Sequence, residues 1–216
     1  MNELAMVRGE RLTVVKTVGF AIALAAAAQV AIPLPGTPVP ITLQPMLVLL
    51  AGFWLPPTAA VASMVLYLAA GAIGLPVWAP IGLPGVARLL GPTGGYLLSY
   101  PVAAWVASVL SQRTASYTPR LLAAIAAMAV IYVGGLAQLA IITGSVATVA
   151  MLGAAPFAAL DLAKCLVGAA LGPRGPGGKL CQWRPCSPRR RAASAPAGGL
   201  RCSWCCFRYS RPLPRS

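Results

Sequence analysis

The sequence predicts an all-α, polytopic integral membrane protein of six transmembrane helices followed by a basic, disordered tail, and three observations carry that expectation. The 216 residues are 58% hydrophobic and 9% charged, with a mean hydropathy of +0.78, which excludes an ordinary soluble domain. Apolar runs of about 17–25 residues, the length that crosses a ~30 Å hydrocarbon layer, recur along the first four fifths of the chain. Charge is segregated: residues 1–172 hold seven Lys or Arg and three acids, a balance of +4, whereas residues 173–216 hold ten and none.

The first span covers about residues 12–32. Arg8, Arg11 and Lys16 at its start would also suit a signal peptide, but the apolar run is longer than the usual h-region and more spans follow. Ala21-x-x-x-Ala25 and Ala23-x-x-x-Ala27 place small side chains one turn apart, which lets another helix approach closely. A merely permissive alanine-rich helix is the plain alternative. Pro33, Pro35, Pro38 and Pro40 end the span, since each removes a donor and restricts its predecessor. Residues 33–41 are therefore an extended loop.

The second span, residues 42–55, stops at Pro56-Pro57, and the third runs over 58–74. Residues 75–92 form a loop rich in Gly and Pro. The fourth span is 93–110, the polar connection 111–119 carries Arg113, and the fifth span is 120–143. Pro156 suits the first turn of a sixth, which passes through Asp161 and Lys164 to about Leu171. With the amino terminus in the cytoplasm, Arg8, Arg11, Lys16, Arg113, Arg120 and the tail fall inside and only Arg88 outside. That is the positive-inside bias. Both termini are then cytoplasmic, and the loops 33–41, 75–92 and 144–155 face outward.

Residues 1–172 are thus expected to be the membrane domain and 173–216 a separate basic tail. The tail has no acid and no apolar periodicity, a composition that buries no core. Ten cations could attract anionic lipid. The abrupt change of character is also what a GC-rich coding sequence yields when read out of frame; translating the other two frames tests this, and the idea fails if neither continues an apolar helix. Five of the six cysteines lie there. Cys202-x-x-Cys205 is a lone pair in a chain without histidine, a weak zinc signal, and no metal or cofactor is expected.

Charges within spans cost at least ~2.5 kcal/mol each on insertion scales, so they tend to face a bundle interior or cavity. Asp161, the sole acid after residue 10, and Lys164 share one side of the sixth span at a spacing of three, close enough to pair or to grip two parts of a ligand. An internal ion pair without function, or Lys164 snorkelling to the interface, are the plain alternatives. Gln44 and Tyr96 begin spans directly after irregular loops, while Trp78 and Trp105 suit interfacial anchors. The sequence GPTGGY (91–96) matches neither a phosphate loop nor a potassium filter. Its glycines permit close backbone approach to a ligand or a helix. No nucleophile–base or metal constellation is present, which argues against an enzyme.

Four stretches, IPLPGTPVPITLQ (32–44), YLAAGAIGLPVWA (67–79), GPTGGYLLSY (91–100) and PFAALDLAK (156–164), resemble in order and spacing the BioY-type proteins, the biotin-binding substrate components of energy-coupling factor (ECF) transporters. The resemblance covers about residues 12–170. It implies a six-helix protein of the cell's cytoplasmic membrane that captures biotin with high affinity from outside. The three outward loops would close over the ligand, and the small-residue face of the first helix, Ala21, Ala23, Ala25 and Ala27, would dock on a transmembrane coupling protein driven by two ATPase subunits. It also implies ligand contacts from Tyr96, Asp161 and Lys164, then Gln44, Thr93 and the backbone near Gly85. The chemistry suits biotin, since Lys164 can meet a carboxylate and Asp161 can accept from ureido N–H groups, with either end of the ligand left open to either residue. Arg88 stands where the family pattern leads one to expect a small or apolar residue. A stand-alone secondary transporter or facilitator for biotin or another small carboxylate is the competing reading, against which no inverted repeat is visible.

Overall fold

The structure, a computed structural model, describes residues 2–33, 39–111, 116–144 and 157–173, with side chains from residue 11 onward. Residues 1–178 form one compact unit. The expected loop of prolines at 35 and 38, the stretch 145–156 and the tail from 174 lie outside the described residues.

The described residues are mostly helical, as expected, and the breaks fall where backbone chemistry dictates them. α1 (Asn2–Gln29) ends three residues earlier than expected, because the chain beyond it pairs: β1 (Ala31–Ile32) lies antiparallel to β2 (Ile41–Thr42), Ala31 opposite Thr42. α2 (Gln44–Trp54) and α3 (Pro57–Ala72) are separated by Pro56 in an extended conformation, the geometry proline favours. α5 (Gly94–Ser111) and α6 (Tyr117–Thr143) follow a short helix, α4 (Val86–Leu90), inside the segment expected to be plain loop. α6 closes on Gly144 at φ 69°, whose N–H donates to Ala140 O at 2.9 Å, a left-handed C-cap that glycine adopts without strain. α7 (Ala158–Leu171) completes the set.

α5 packs against α6, α3 and α2; α1 lies on α3 and α2, and α7 on α6 and α2. Small residues fill much of the α5–α6 contact, beside larger buried ones such as Leu97, Met128 and Ile131. Ala103, Ala104 and Ala107 of α5 and Ala123, Ala124 and Ala127 of α6 are buried, while Leu98, Val102, Trp105, Leu122, Ile125 and Val133 point outward. Small residues inside and large apolar ones outside suit helices that pack closely in lipid. Among the described residues, two helices qualify as spans by length and hydropathy, Arg11–Gln29 and Tyr117–Thr143, whereas α2 and α3 are shorter apolar helices.

The α5–α6 contact is a crossing of two glycine pairs. A Cβ on Gly134 would come within 3.0 Å of Gly95 O, and one on Gly95 would strike the Gly134 carbonyl; one on Gly135 would strike the Tyr96 ring. Within GPTGGY, Gly95 therefore serves helix approach, and Gly94 the close passage of Leu89 and Gln138. Of the α1 residues expected to dock, Ala21 is buried in the protein's own core beside Leu24, and Ala25 packs partly against it. Only Ala23 and Ala27 of the expected docking set are neither core residues nor packed on the core. The outward face of α1 instead carries Val15, Gly19, Ile22 and Ala26.

Candidate functional site

A cavity of about 680 Å³, counting its open mouth, lies where the β1–β2 connection, the α3–α5 segment and the start of α7 converge. Val39 to Thr42 with Gln44 and Pro45 form one wall, Trp78, Ala79, Arg88 and Thr93 a second, and Tyr67, Tyr96 and Tyr100 line it from α3 and α5. Met128, Ile131 and Tyr132 of α6 and Phe157, Asp161 and Lys164 complete it.

The fold thus brings together Gln44, Thr93, Tyr96, Asp161 and Lys164 of the residues expected at the site. Gly85 does not line the cavity; it stands at the head of α4 with φ 60°, a conformation that disfavours a side chain. Ala21, Ala23, Ala25 and Ala27 lie elsewhere, on α1. Lining residues that sequence reasoning did not assign to the site include Tyr67, Trp78, Arg88, Tyr100 and Tyr132. Trp78, expected as an interfacial anchor, is 6% exposed, its indole laid against Gly71, where any Cβ would collide with it.

Asp161 and Lys164 pair directly, Lys164 Nζ donating to Asp161 Oδ1 at 2.6 Å, as one turn of helix permits. Tyr132 donates its hydroxyl to the other oxygen, Oδ2, at 2.5 Å, and its ring meets Tyr96 edge-on with centroids 6.5 Å apart. Gln44 donates through Nε2 to Tyr67 Oη at 2.5 Å, tying the start of α2 to α3. Gln29, at the end of α1, donates to Trp78 O at 3.1 Å and Pro76 O at 3.2 Å, which clamps the second wall.

Arg88 is the unexpected member. It is 6% exposed, its Nη1 donates to Ala79 O at 2.9 Å, and Gly82 makes room for it, since a Cβ there would lie 2.9 Å from Nη1. Burial lowers its pKa from the ordinary guanidinium value, while Tyr67 and Tyr100 act in the opposite direction. Asp161 is the sole acid side chain after residue 10 and is already engaged by Lys164 and Tyr132. Among the described residues Asp161–Lys164 is the one ion pair. The described wall of the cavity therefore carries two cations and one anion, a surplus of one positive charge with aromatic rings between the two poles.

The chain is similar to known proteins in sequence and in fold. The BioY family model matches residues 2–176. A probable biotin transporter BioY of Pyrococcus horikoshii is 37% identical over 127 residues, covering 59% of this chain and 74% of that one. A biotin transporter BioY of Thermotoga maritima is 33% identical over 138 residues, covering 64% and 81%. Both relatives are named as transporters rather than enzymes. A solved structure, the S-component for biotin from an ECF-type ABC transporter, superimposes with a TM-score of 0.70 at 22% identity over 76% of this chain and 89% of that one; this likeness speaks for the fold. With the match spanning nearly all of the described helices, the chain belongs to the BioY family.

Proposed function

We propose that this chain captures biotin at the outer face of the cytoplasmic membrane as the substrate-specific subunit of an ATP-driven ECF transporter. The observation that carries the reading is the cavity's surplus positive charge beside an aromatic, apolar interior. Biotin presents one carboxylate, a polar ureido ring and an apolar thioether and alkyl chain. A monoanion of that shape neutralises Arg88 and lays its apolar body on Tyr67, Tyr96, Tyr100 and Trp78. Arg88 is the better carboxylate partner than Lys164, because Lys164 is occupied by Asp161 and a guanidinium offers paired donors. Asp161 and Lys164, with Tyr132, then form the opposite pole, where the ureido N–H groups and carbonyl find acceptor and donor. Thr93 and Gln44 flank the ligand.

In this reading six helices, α1, α2, α3, α5, α6 and α7, cross or line the membrane with both termini cytoplasmic, and the outer face of α1 docks on the coupling protein, with two ATPase subunits beyond it. Two experiments test it. Titration of the detergent-purified protein with biotin, desthiobiotin and biotin amide should show high affinity for biotin and a large loss for the amide. Arg88→Ala should weaken biotin by tenfold or more, as loss of a charged hydrogen bond worth ~1.5–3 kcal/mol implies. Uptake of labelled biotin should depend on co-expressed coupling subunits; equal uptake without them would instead favour a stand-alone facilitator.

A further inference from the structure

Arg88 is presented by an element too short to hold itself. α4 has five residues, well below the ~12–15 at which an isolated helix becomes even marginal. Glycines at φ 116° (Gly82) and 60° (Gly85) precede it, so the chain entering it brings little stiffness of its own. Its carboxyl end is nonetheless secured from outside. Gln138, in the last two turns of α6, donates from Nε2 to Leu89 O and to Gly91 O, both at 2.8 Å. Both hydrogens of one amide nitrogen are thereby used, one on Leu89 O in the last turn of α4, where carbonyls lack an intrahelical partner, and one on Gly91 O, which also accepts from Gly94 N–H at 3.0 Å.

This reach depends on the glycine crossing. A Cβ on Gly94 would lie 2.8 Å from Gln138 Nε2, and one on Gly95 2.8 Å from Gln138 Cβ. Gln138 does not line the cavity, whereas Arg88 does.

We propose that Gln138 is a positioning residue for Arg88: by fastening α4 to α6 it sets where the guanidinium stands, so an amide outside the cavity controls the preference for a carboxylate-bearing ligand over its neutral amide. The inference rests on Arg88 being the carboxylate's partner. Without the amide, Leu89 O loses the Gln138 donor and Gly91 O keeps only Gly94 N–H, α4 shifts, and Arg88 meets the anion off line. A paired, charge-assisted contact is more sensitive to such a shift than apolar packing on the rings. The loss therefore falls on the charged ligand.

The test is titration of the full-length protein in detergent with biotin and with biotin amide, for wild type, Gln138→Met, Arg88→Ala and the double variant, with folding monitored by thermal unfolding. Gln138→Met should weaken biotin roughly tenfold and biotin amide by less than about threefold, within the scatter of independent sites. The biotin-to-amide ratio then falls toward that of Arg88→Ala, and the double variant binds biotin no more weakly than Arg88→Ala. Gln138→Leu supplies the same comparison if the Met variant does not fold. Equal weakening of both ligands, or a ratio that Gln138→Met leaves intact while Arg88→Ala collapses it, overturns the role of Gln138 and spares that of Arg88. A ratio that Arg88→Ala itself leaves intact overturns the reading of Arg88, and the positioning role with it.

Discussion

Asp161 holds two donors at once, Lys164 Nζ at 2.6 Å and Tyr132 Oη at 2.5 Å, and this makes it the residue whose loss does most damage. Asparagine keeps the shape and removes the charge, leaving Lys164 as an unpaired cation at a side-chain exposure of 11%; breaking such a pair costs about 3–5 kcal/mol in buried settings. Asp161→Asn and Lys164→Ala are each expected to weaken biotin binding by tenfold or more, about 1.4 kcal/mol per decade, with membrane insertion retained; unchanged affinity in either variant removes that residue from the site. Tyr132→Phe should lower the unfolding midpoint of the ligand-free protein, through loss of a hydrogen bond to a charged group worth ~1.5–3 kcal/mol. An unaltered midpoint would show the hydroxyl to be dispensable.

The Asp161–Lys164 pair was legible because two charges at helical spacing in an apolar run are too costly to leave in lipid, and must face each other or a ligand. Arg88 was not: a lone cation in a Gly- and Pro-rich stretch reads as a topology marker, and only the fold turns it inward against Ala79 O. Tyr132 and Trp78 were hidden for a different reason. An aromatic ring in an apolar segment looks the same whether it faces lipid or a cavity.

Among the elements, the α5–α6 crossing is the one most dependent on single atoms. Gly95→Ala would set a methyl against the Gly134 carbonyl and within 2.8 Å of Gln138 Cβ, and overpacking of this kind costs about 1–3 kcal/mol. Gly19→Ala on α1 meets nothing within 4 Å and serves as the comparison. Unfolding midpoints in detergent should fall for the first and hold or rise for the second; equal midpoints would refute the crossing. The long helices could be read from sequence because prolines at 33, 56 and 57 and glycine at 144 punctuate apolar runs. β1 and β2 could not, since two-residue strands have no period to detect. α4 could not either, as five residues between Gly85 and Gly91 show only their breakers, and its anchorage comes from Gln138, distant in sequence.

At the scale of the molecule, every described residue lining the cavity falls between 39 and 164, within the compact unit 1–178. A chain ended after residue 178 is therefore expected to bind biotin as the full chain does, by isothermal titration; a weaker site would assign the tail a part in binding. Biotin at about 100 times its dissociation constant should add ~2.7 kcal/mol to the stability of the folded state, visible as a concentration-dependent midpoint, whereas biotin amide at the same concentration should shift it far less.

The surplus charge of the cavity also has an electrical meaning. Empty, the described lining sets Arg88 and Lys164 against Asp161, a formal surplus of one positive charge, which a bound monocarboxylate would balance. Moving one elementary charge across 100 mV involves ~2.3 kcal/mol, so any step that carries the loaded site through the bilayer escapes the membrane voltage, while the return of the empty site feels it. In vesicles with a clamped potential, single-turnover delivery of biotin should be indifferent to voltage and repeated turnover should not. The protein would then use its cargo as a counter-ion, and the voltage would act on resetting rather than on uptake.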